Sequence, residues 1–204
     1  MTQKRLILAS ASGVRRKLLA DAGLHFEAVD SLVDEDAVKA GFANGDKSPE
    51  EATDALALAL AEAKALAVSA ANGDALIIGA DQILSCKGRR YDKPKDMAEA
   101  RRNLTEFRGS PHILHSGLVL ARSGKVIWRH TARATLTMRD FSDAFLDHYL
   151  AEAGERVMKS VGCYQLEGPG VQLFEKIEGD YFSILGLPML PLLSQLRREG
   201  VIGS

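Results

Sequence analysis

The chain has 204 residues, 46% of them hydrophobic and 26% charged, which is enough apolar material to bury a core as one domain or as two closely joined lobes. A formal net charge of -1 removes the diffuse attraction on which binders of bulk nucleic acid depend, and no apolar run approaches the length of a membrane span. Cys86 and Cys163 lie far apart with no CxxC or Cys/His ligand spacing, so they read as reduced thiols, with a disulfide between them as the alternative.

Met1-Thr2-Gln3-Lys4-Arg5 precedes an apolar run too short for a signal sequence, and a soluble, cytoplasmic protein is expected. Lys4 to Ala9 then reads as a buried strand, Ser12 to Ala22 as a helix ended by Gly23, and Phe26 to Val29 as a second strand. Asp30 to Lys47 is polar and acidic and reads as a loop. Ser48 and Glu51 form a capping box with Pro49 at the first helical position, which predicts a long Ala-rich helix to about Ala71 with Gly73 as its stop. Ala75 to Ala80 fits a central strand that delivers Asp81 at its carboxyl end, where ligand sites concentrate. Asp96 to Arg108 is a helix with Gly109 as its stop, and about Pro111 to Ala121 with Val126 to Met138 make a hairpin around Ser123-Gly124-Lys125. Ser142 to Ala153 is helical, Gly162 to Glu167 and Val171 to Ile177 read as a second hairpin, and Met189 to Glu199 as a final helix. With no internal repeat and no long linker, residues 1–204 read as a single domain.

The stretch Leu8-Ala9-Ser10-Ala11-Ser12-Gly13-Val14-Arg15-Arg16-Lys17 carries the strongest chemical signal. A strand ending in Ser10 and Ser12 gathers two hydroxyls and the free amides of the next helix around one point, with Arg15 reaching back, which is an arrangement suited to phosphate. Taken alone it reads more readily as an N-cap at Ser12 followed by solvated arginines. A carboxylate such as Asp81 beside a triphosphate can hold Mg2+ and orient or deprotonate water, the alternative being an Asp that caps a turn. Lys64 on the long helix and Lys93, held extended before Pro94, can complete a phosphate cage, although Lys64 alone reads as an ordinary exposed helix lysine. His112 and His115 sit three apart on a strand and face opposite sides, so they do not converge on one ion. Ser123-Gly124-Lys125 lacks the glycine-rich loop of a Walker motif, and no GxGxxG follows a strand, which removes support for kinase and dinucleotide-oxidoreductase readings.

These patches, with Gly79-Ala80-Asp81-Gln82, Lys93-Pro94, Gly162-Cys163-Tyr164-Gln165-Leu166-Glu167-Gly168 and Gly186-Leu187-Pro188, resemble the Maf family of nucleoside triphosphate pyrophosphatases over nearly the whole chain. The resemblance implies an α/β fold, ITPase-like, with a long mixed sheet in two lobes, flanking helices and a central cleft. It implies hydrolysis of a nucleoside triphosphate to the monophosphate and pyrophosphate with a divalent metal, Mg2+ or Mn2+, in a house-cleaning role, and a homodimer. It also implies that Asp81 is the general base, that Glu35 joins it at the metal, and that Ser10, Ser12, Arg15, Lys64 and Lys93 hold phosphates. Gln82 and Glu167 match the subgroup that prefers 7-methyl-GTP. A carboxylate suits the donors of a guanine edge and the positive charge of an N7-methylated ring. Val14 stands where members acting on dTTP or UTP carry Arg and the methyl-guanine members a large aromatic, so a dTTP or UTP pyrophosphatase stays open as the alternative. So does a non-catalytic, nucleotide-binding regulator of cell division.

Overall fold

The computed structural model describes residues 4–203, so Met1, Thr2 and Gln3 of the expected non-leader terminus lie outside the described residues. The strands are β1 (Leu6–Ala9), β2 (Glu27–Val29), β3 (Leu76–Cys86), β4 (Arg89–Tyr91), β5 (Pro111–Arg122), β6 (Lys125–Met138) and β7 (Phe174–Glu178). The helices are α1 (Gly13–Asp21), α2 (Glu35–Gly41), α3 (Pro49–Ala71), α4 (Met97–Phe107), α5 (Asp143–Ala153), α6 (Tyr181–Ile184) and α7 (Met189–Arg198). The strands join in one mixed sheet of 7 in the order β2-β1-β3-β5-β6-β7, with β4 added to β3, so the expected α/β class holds. The chain clusters into two compact units: the described residues up to Gln82 with Ser116–Ala132 and those from Asp180 onward, and Ile83–His115 with Arg133–Gly179. Among the described residues no helix is long and apolar enough to cross a membrane.

In the first unit β1 runs parallel to both β2 and β3, in a register that pairs Ile7 with Ile77 and Ala9 with Gly79. Alternation along these strands divides the core. Leu6, Leu8, Leu76, Ile78 and Leu118 pack with Leu192 and Leu196 of α7 on one side, while Ile7, Ala9, Ile77 and Val119 pack with Ala61, Ala65 and Val68 of α3 on the other. The alanines let α3 lie almost on the backbone of the sheet. A Cβ added at Gly79 would fall 2.2 Å from the carbonyl oxygen of Ala61, and one at Gly117 would fall 2.4 Å from that of Ala57. These two glycines exist for close approach. The capping box at Ser48 and Glu51 is formed as expected. The far end of α3 is closed by Asn72, whose Nδ2 donates to Val68 O at 3.0 Å, and not by Gly73.

Two further expectations fail in this unit for physical reasons. The acidic stretch read as a loop contains α2, capped by Asp34, whose carboxylate accepts from the Ala37 amide at 3.0 Å, with Glu35 and Asp36 in the first turn where the helix dipole favours negative charge. The strand expected to stop before Asp81 continues as β3 to Cys86, with Asp81 in its interior. What ends near Asp81 is the parallel ladder, because β1 leaves the sheet after Ala9, opposite Gly79. Asp81 therefore lies just past the carboxyl end of the parallel segment, the place such sheets reserve for ligands.

In the second unit β3 turns back on itself into β4, pairing Leu84 with Tyr91. Helix α4 is capped by Asp96, which accepts from the Glu99 amide at 2.7 Å, and α5 by Ser142. The expected second hairpin is absent. Residues 162–168 form turns, Pro169–Leu173 a 3₁₀ helix, and β7 pairs antiparallel with β6 instead. Pro169 brings no N–H to a ladder, and the Gly168 amide is taken locally by Gln165 O at 3.2 Å. His112 and His115 do go to different partners: His112 Nε2 bonds Tyr164 Oη at 2.8 Å and His115 Nε2 bonds Ser85 Oγ at 2.8 Å. Cys86 and Cys163 are buried free thiols, and burial pushes the Cys163 thiol up to about 12 and raises that of Cys86.

The close approach of α3 is the feature most easily tested. Gly79→Ala puts a methyl against fixed backbone and should lower the unfolding free energy by about 2–3 kcal/mol in urea titration, with an unchanged denaturant slope.

Candidate active site

The turn from β1 into α1 is held together by its own hydroxyls. Ser10, only 6% exposed, accepts on its Oγ from the Ser12 amide at 3.2 Å and from Arg15 Nη1 at 3.3 Å. Ser12 is the N-cap of α1 and accepts from the Arg15 amide at 3.4 Å. Val14 follows on the first turn, half-buried. Arg15 was expected to reach for phosphate, and the structure engages most of its guanidinium elsewhere. Its Nη1 donates to Ala80 O at 2.9 Å and its Nε to Gly186 O at 2.8 Å, so the side chain ties the β1–α1 turn to β3 and to the segment before α7. Only Nη2 is left by these bonds. Burial pulls the Arg15 pKa below its ordinary value, while the carboxylates of Asp81 and Glu35 oppose that shift. Those two charges are therefore close enough to be felt.

They are brought together by one ammonium. Lys64 Nζ lies 2.5 Å from Asp81 Oδ1 and 2.7 Å from Glu35 Oε1. Each element delivers its residue for a reason visible in the packing. Asp81 follows Gly79 by two on β3 and so shares its face, the face covered by α3, and Lys64 follows Ala61 by three on the helix stripe that touches Gly79. Glu35 is the first residue of α2, which packs against α3. Lys64 is 8% exposed and Asp81 6%, so Lys64 is not the solvated helix lysine that its sequence context allows. A buried pair of this kind is costly to break on one side only, because the remaining charge is stranded.

Gln82, on the opposite face of β3, is anchored through its amide. Its Nε2 donates to Ser183 O at 2.9 Å, Ser116 Oγ at 3.2 Å and Ile184 O at 3.3 Å. It thus steadies the α6 segment that presents Gly186 O to Arg15. Ser116, Ser183 and the Gly186 carbonyl were not singled out as contacts by sequence reasoning. The available signal was the Gly186-Leu187-Pro188 patch, whose positive φ at Gly186 marks a forced turn. Lys93 and Glu167 belong to the second unit. Lys93 is exposed in an irregular segment after β4, before the buried Pro94, and Glu167 is exposed in the turn that replaces the expected hairpin strand.

Glu35 and Asp81 are hard oxygen donors, and among the described residues no group of three or more His, Cys, Asp or Glu side chains converges on one point. Such a pair does not make an all-protein cage. It does fit Mg2+ or Mn2+, which commonly takes one or two carboxylates together with phosphate oxygens and water.

Comparison with known proteins agrees with this architecture. The family described as Maf-like protein matches residues 5–199. A 7-methyl-GTP pyrophosphatase of Rhizobium meliloti (strain 1021) is 53% identical over 98% of this chain and 98% of its own. One of Brucella suis biovar 1 (strain 1330) is 50% identical over 97% of this chain and 98% of its own. A nucleoside triphosphate pyrophosphatase of Caulobacter vibrioides is 51% identical over 99% of both chains. The fold and the carboxylate–lysine cluster define an α/β protein with a polar site at the end of a parallel ladder. The chain belongs to the Maf-like protein family.

The bonds of Arg15 predict a structural penalty. Arg15→Ala strands two buried carbonyls and should lower stability by about 3 kcal/mol in thermal or urea unfolding, whereas the exposed Arg16→Ala should change it by less than about 1 kcal/mol.

Proposed function

We propose that the protein is a nucleoside triphosphate pyrophosphatase, a hydrolase acting on phosphoric anhydrides, and that its substrate is 7-methyl-GTP. The observation that carries the chemistry is the pairing of Asp81 and Glu35 about one buried ammonium just past the end of the parallel ladder, beside the N-terminus of α1. The printed activities of relatives about half identical over the full chain support the same reaction and favour the methylated guanine nucleotide.

In this reading Asp81, fixed on a strand, takes the proton of a water directed at the α-phosphorus, and the nucleoside monophosphate and pyrophosphate separate without a covalent intermediate. Asp81 and Glu35 hold a divalent metal, which when bound supplies Lewis-acid polarisation and neutralises charge on the leaving pyrophosphate. Lys64, the Nη2 of Arg15, the hydroxyls of Ser10 and Ser12 and the first amides of α1 bind phosphate oxygens, and the family resemblance gives Lys93 the same role. On the family resemblance, Glu167 accepts from the Watson–Crick edge of the base, and Val14 and Gln82 bear on base choice. A cytoplasmic location is supported by the two unpaired thiols. A homodimer is proposed on family grounds.

Pyrophosphate release measured with Mg2+ and Mn2+ over 7-methyl-GTP, GTP, dTTP and UTP tests the activity, with 7-methyl-GTP expected to give the highest kcat/KM. Asp81→Asn should cut kcat by about 100-fold or more while nucleotide still binds. Turnover near that of the wild type would remove Asp81 from its role. Glu167→Gln should compress the preference for 7-methyl-GTP over UTP by roughly 10-fold or more. An unchanged ranking would show that Glu167 does not read the base.

A further inference from the structure

We infer that Lys64 is a built-in competitor for the divalent cation, holding Glu35 and Asp81 in the free protein and releasing them only when a triphosphate offers its ammonium another anionic partner. The inference rests on the reading of the site as a metal-assisted pyrophosphatase.

The geometry points to competition because both candidate metal ligands are engaged by the same nitrogen, Asp81 Oδ1 at 2.5 Å and Glu35 Oε1 at 2.7 Å from Lys64 Nζ. An ammonium is a compact point charge, and at this distance from both carboxylates it repels a dication drawn to the same two groups. Charge counting gives the direction. The two carboxylates are already balanced by Lys64 and Arg15, and a dication added alone leaves two uncompensated positive charges inside a site whose central residues are nearly buried. Triphosphate oxygens restore the balance and give Lys64 somewhere to go. Arg15 cannot take its place, since Nε and Nη1 are fixed on Gly186 O and Ala80 O. The moving parts are also identifiable. Asp81 is held in the interior of β3, whereas Lys64 has a flexible four-carbon stem, and the Glu35 side chain is 45% exposed at the start of a short helix. Metal and nucleotide then bind with positive and reciprocal coupling.

Mn2+ binding to the full-length protein, followed by electron paramagnetic resonance without nucleotide, tests this directly. Wild type should bind weakly, and Lys64→Met should bind at least tenfold more tightly. Lys64→Gln, which keeps hydrogen bonds but no charge, should gain similarly and stands in if the methionine variant does not fold. Equal Mn2+ affinity in wild type and in a folded variant overturns the inference. In wild type alone, the side-chain 1H–15N signal of Lys64 should stay in place on adding Mg2+ and move on adding Mg2+ with an α,β-methylene triphosphate analogue. A shift with Mg2+ alone also overturns it. Pyrophosphate release from 7-methyl-GTP separates the two levels: release without a gain in the Lys64 variants sinks the competitor role and leaves the pyrophosphatase standing. A gain without release does the reverse.

Discussion

A lysine ammonium removed from water must sit against carboxylates or lose its charge, and that requirement at Lys64 organises the first unit. Asp81 is satisfied from a strand and Glu35 from the first turn of α2, so three elements distant in sequence are tied to one nitrogen. The same requirement explains why an acidic segment that would ordinarily lie in solvent is ordered. The carboxylate of Asp34 closes the helix and the next residue faces the lysine. A second cation, Arg15, answers the same electrostatic field from the β1–α1 turn but is held by backbone carbonyls. The two basic groups therefore differ in kind: one is paired with carboxylates that other cations can claim, the other is built into the scaffold.

The placement of Lys64 depends in turn on how near α3 lies to the sheet. Alanine at 57, 61 and 65 and glycine at 79 and 117 leave no side chain larger than a methyl to hold the layers apart, and the backbone of the helix rests on that of the strands. With larger residues along this seam the helix would stand farther off, and the lysine stem would have to bridge the gap before its charge met Asp81. Packing at small residues here sets an electrostatic distance.

Much of this was legible in the sequence because local rules and burial agreed. The capping box at Ser48, the Asp96 cap, the Ser123-Gly124 turn and the helix after Ser12 follow from residue chemistry that tertiary context does not override. The misreadings arose where tertiary contacts decided. Asp81 looks like a strand terminator until Lys64 neutralises it, and residues 162–177 alternate like a hairpin until Pro169 and the partner strand β6 claim the backbone for other bonds. Arg15 was expected to reach back toward Ser10, and its Nη1 does donate to Ser10 Oγ. That its partners would be the carbonyls of Ala80 and Gly186 depends on contacts 65 and 171 positions away, which no local pattern carries.

The sulfur chemistry of the chain follows from where its core lies. Peroxide and disulfide exchange act on thiolates, and both Cys86, at 2% exposure, and Cys163, at 0%, are buried with thiols held protonated by their surroundings. Asn103 donates toward the Cys163 sulfur without reversing that bias. An oxidising burst that switches off enzymes with exposed, acidic cysteines finds no such handle on either thiol. Conversely, a cysteine introduced on the surface would react far ahead of the native pair, so the unaltered chain already serves as the background for attaching a spectroscopic label at a chosen point.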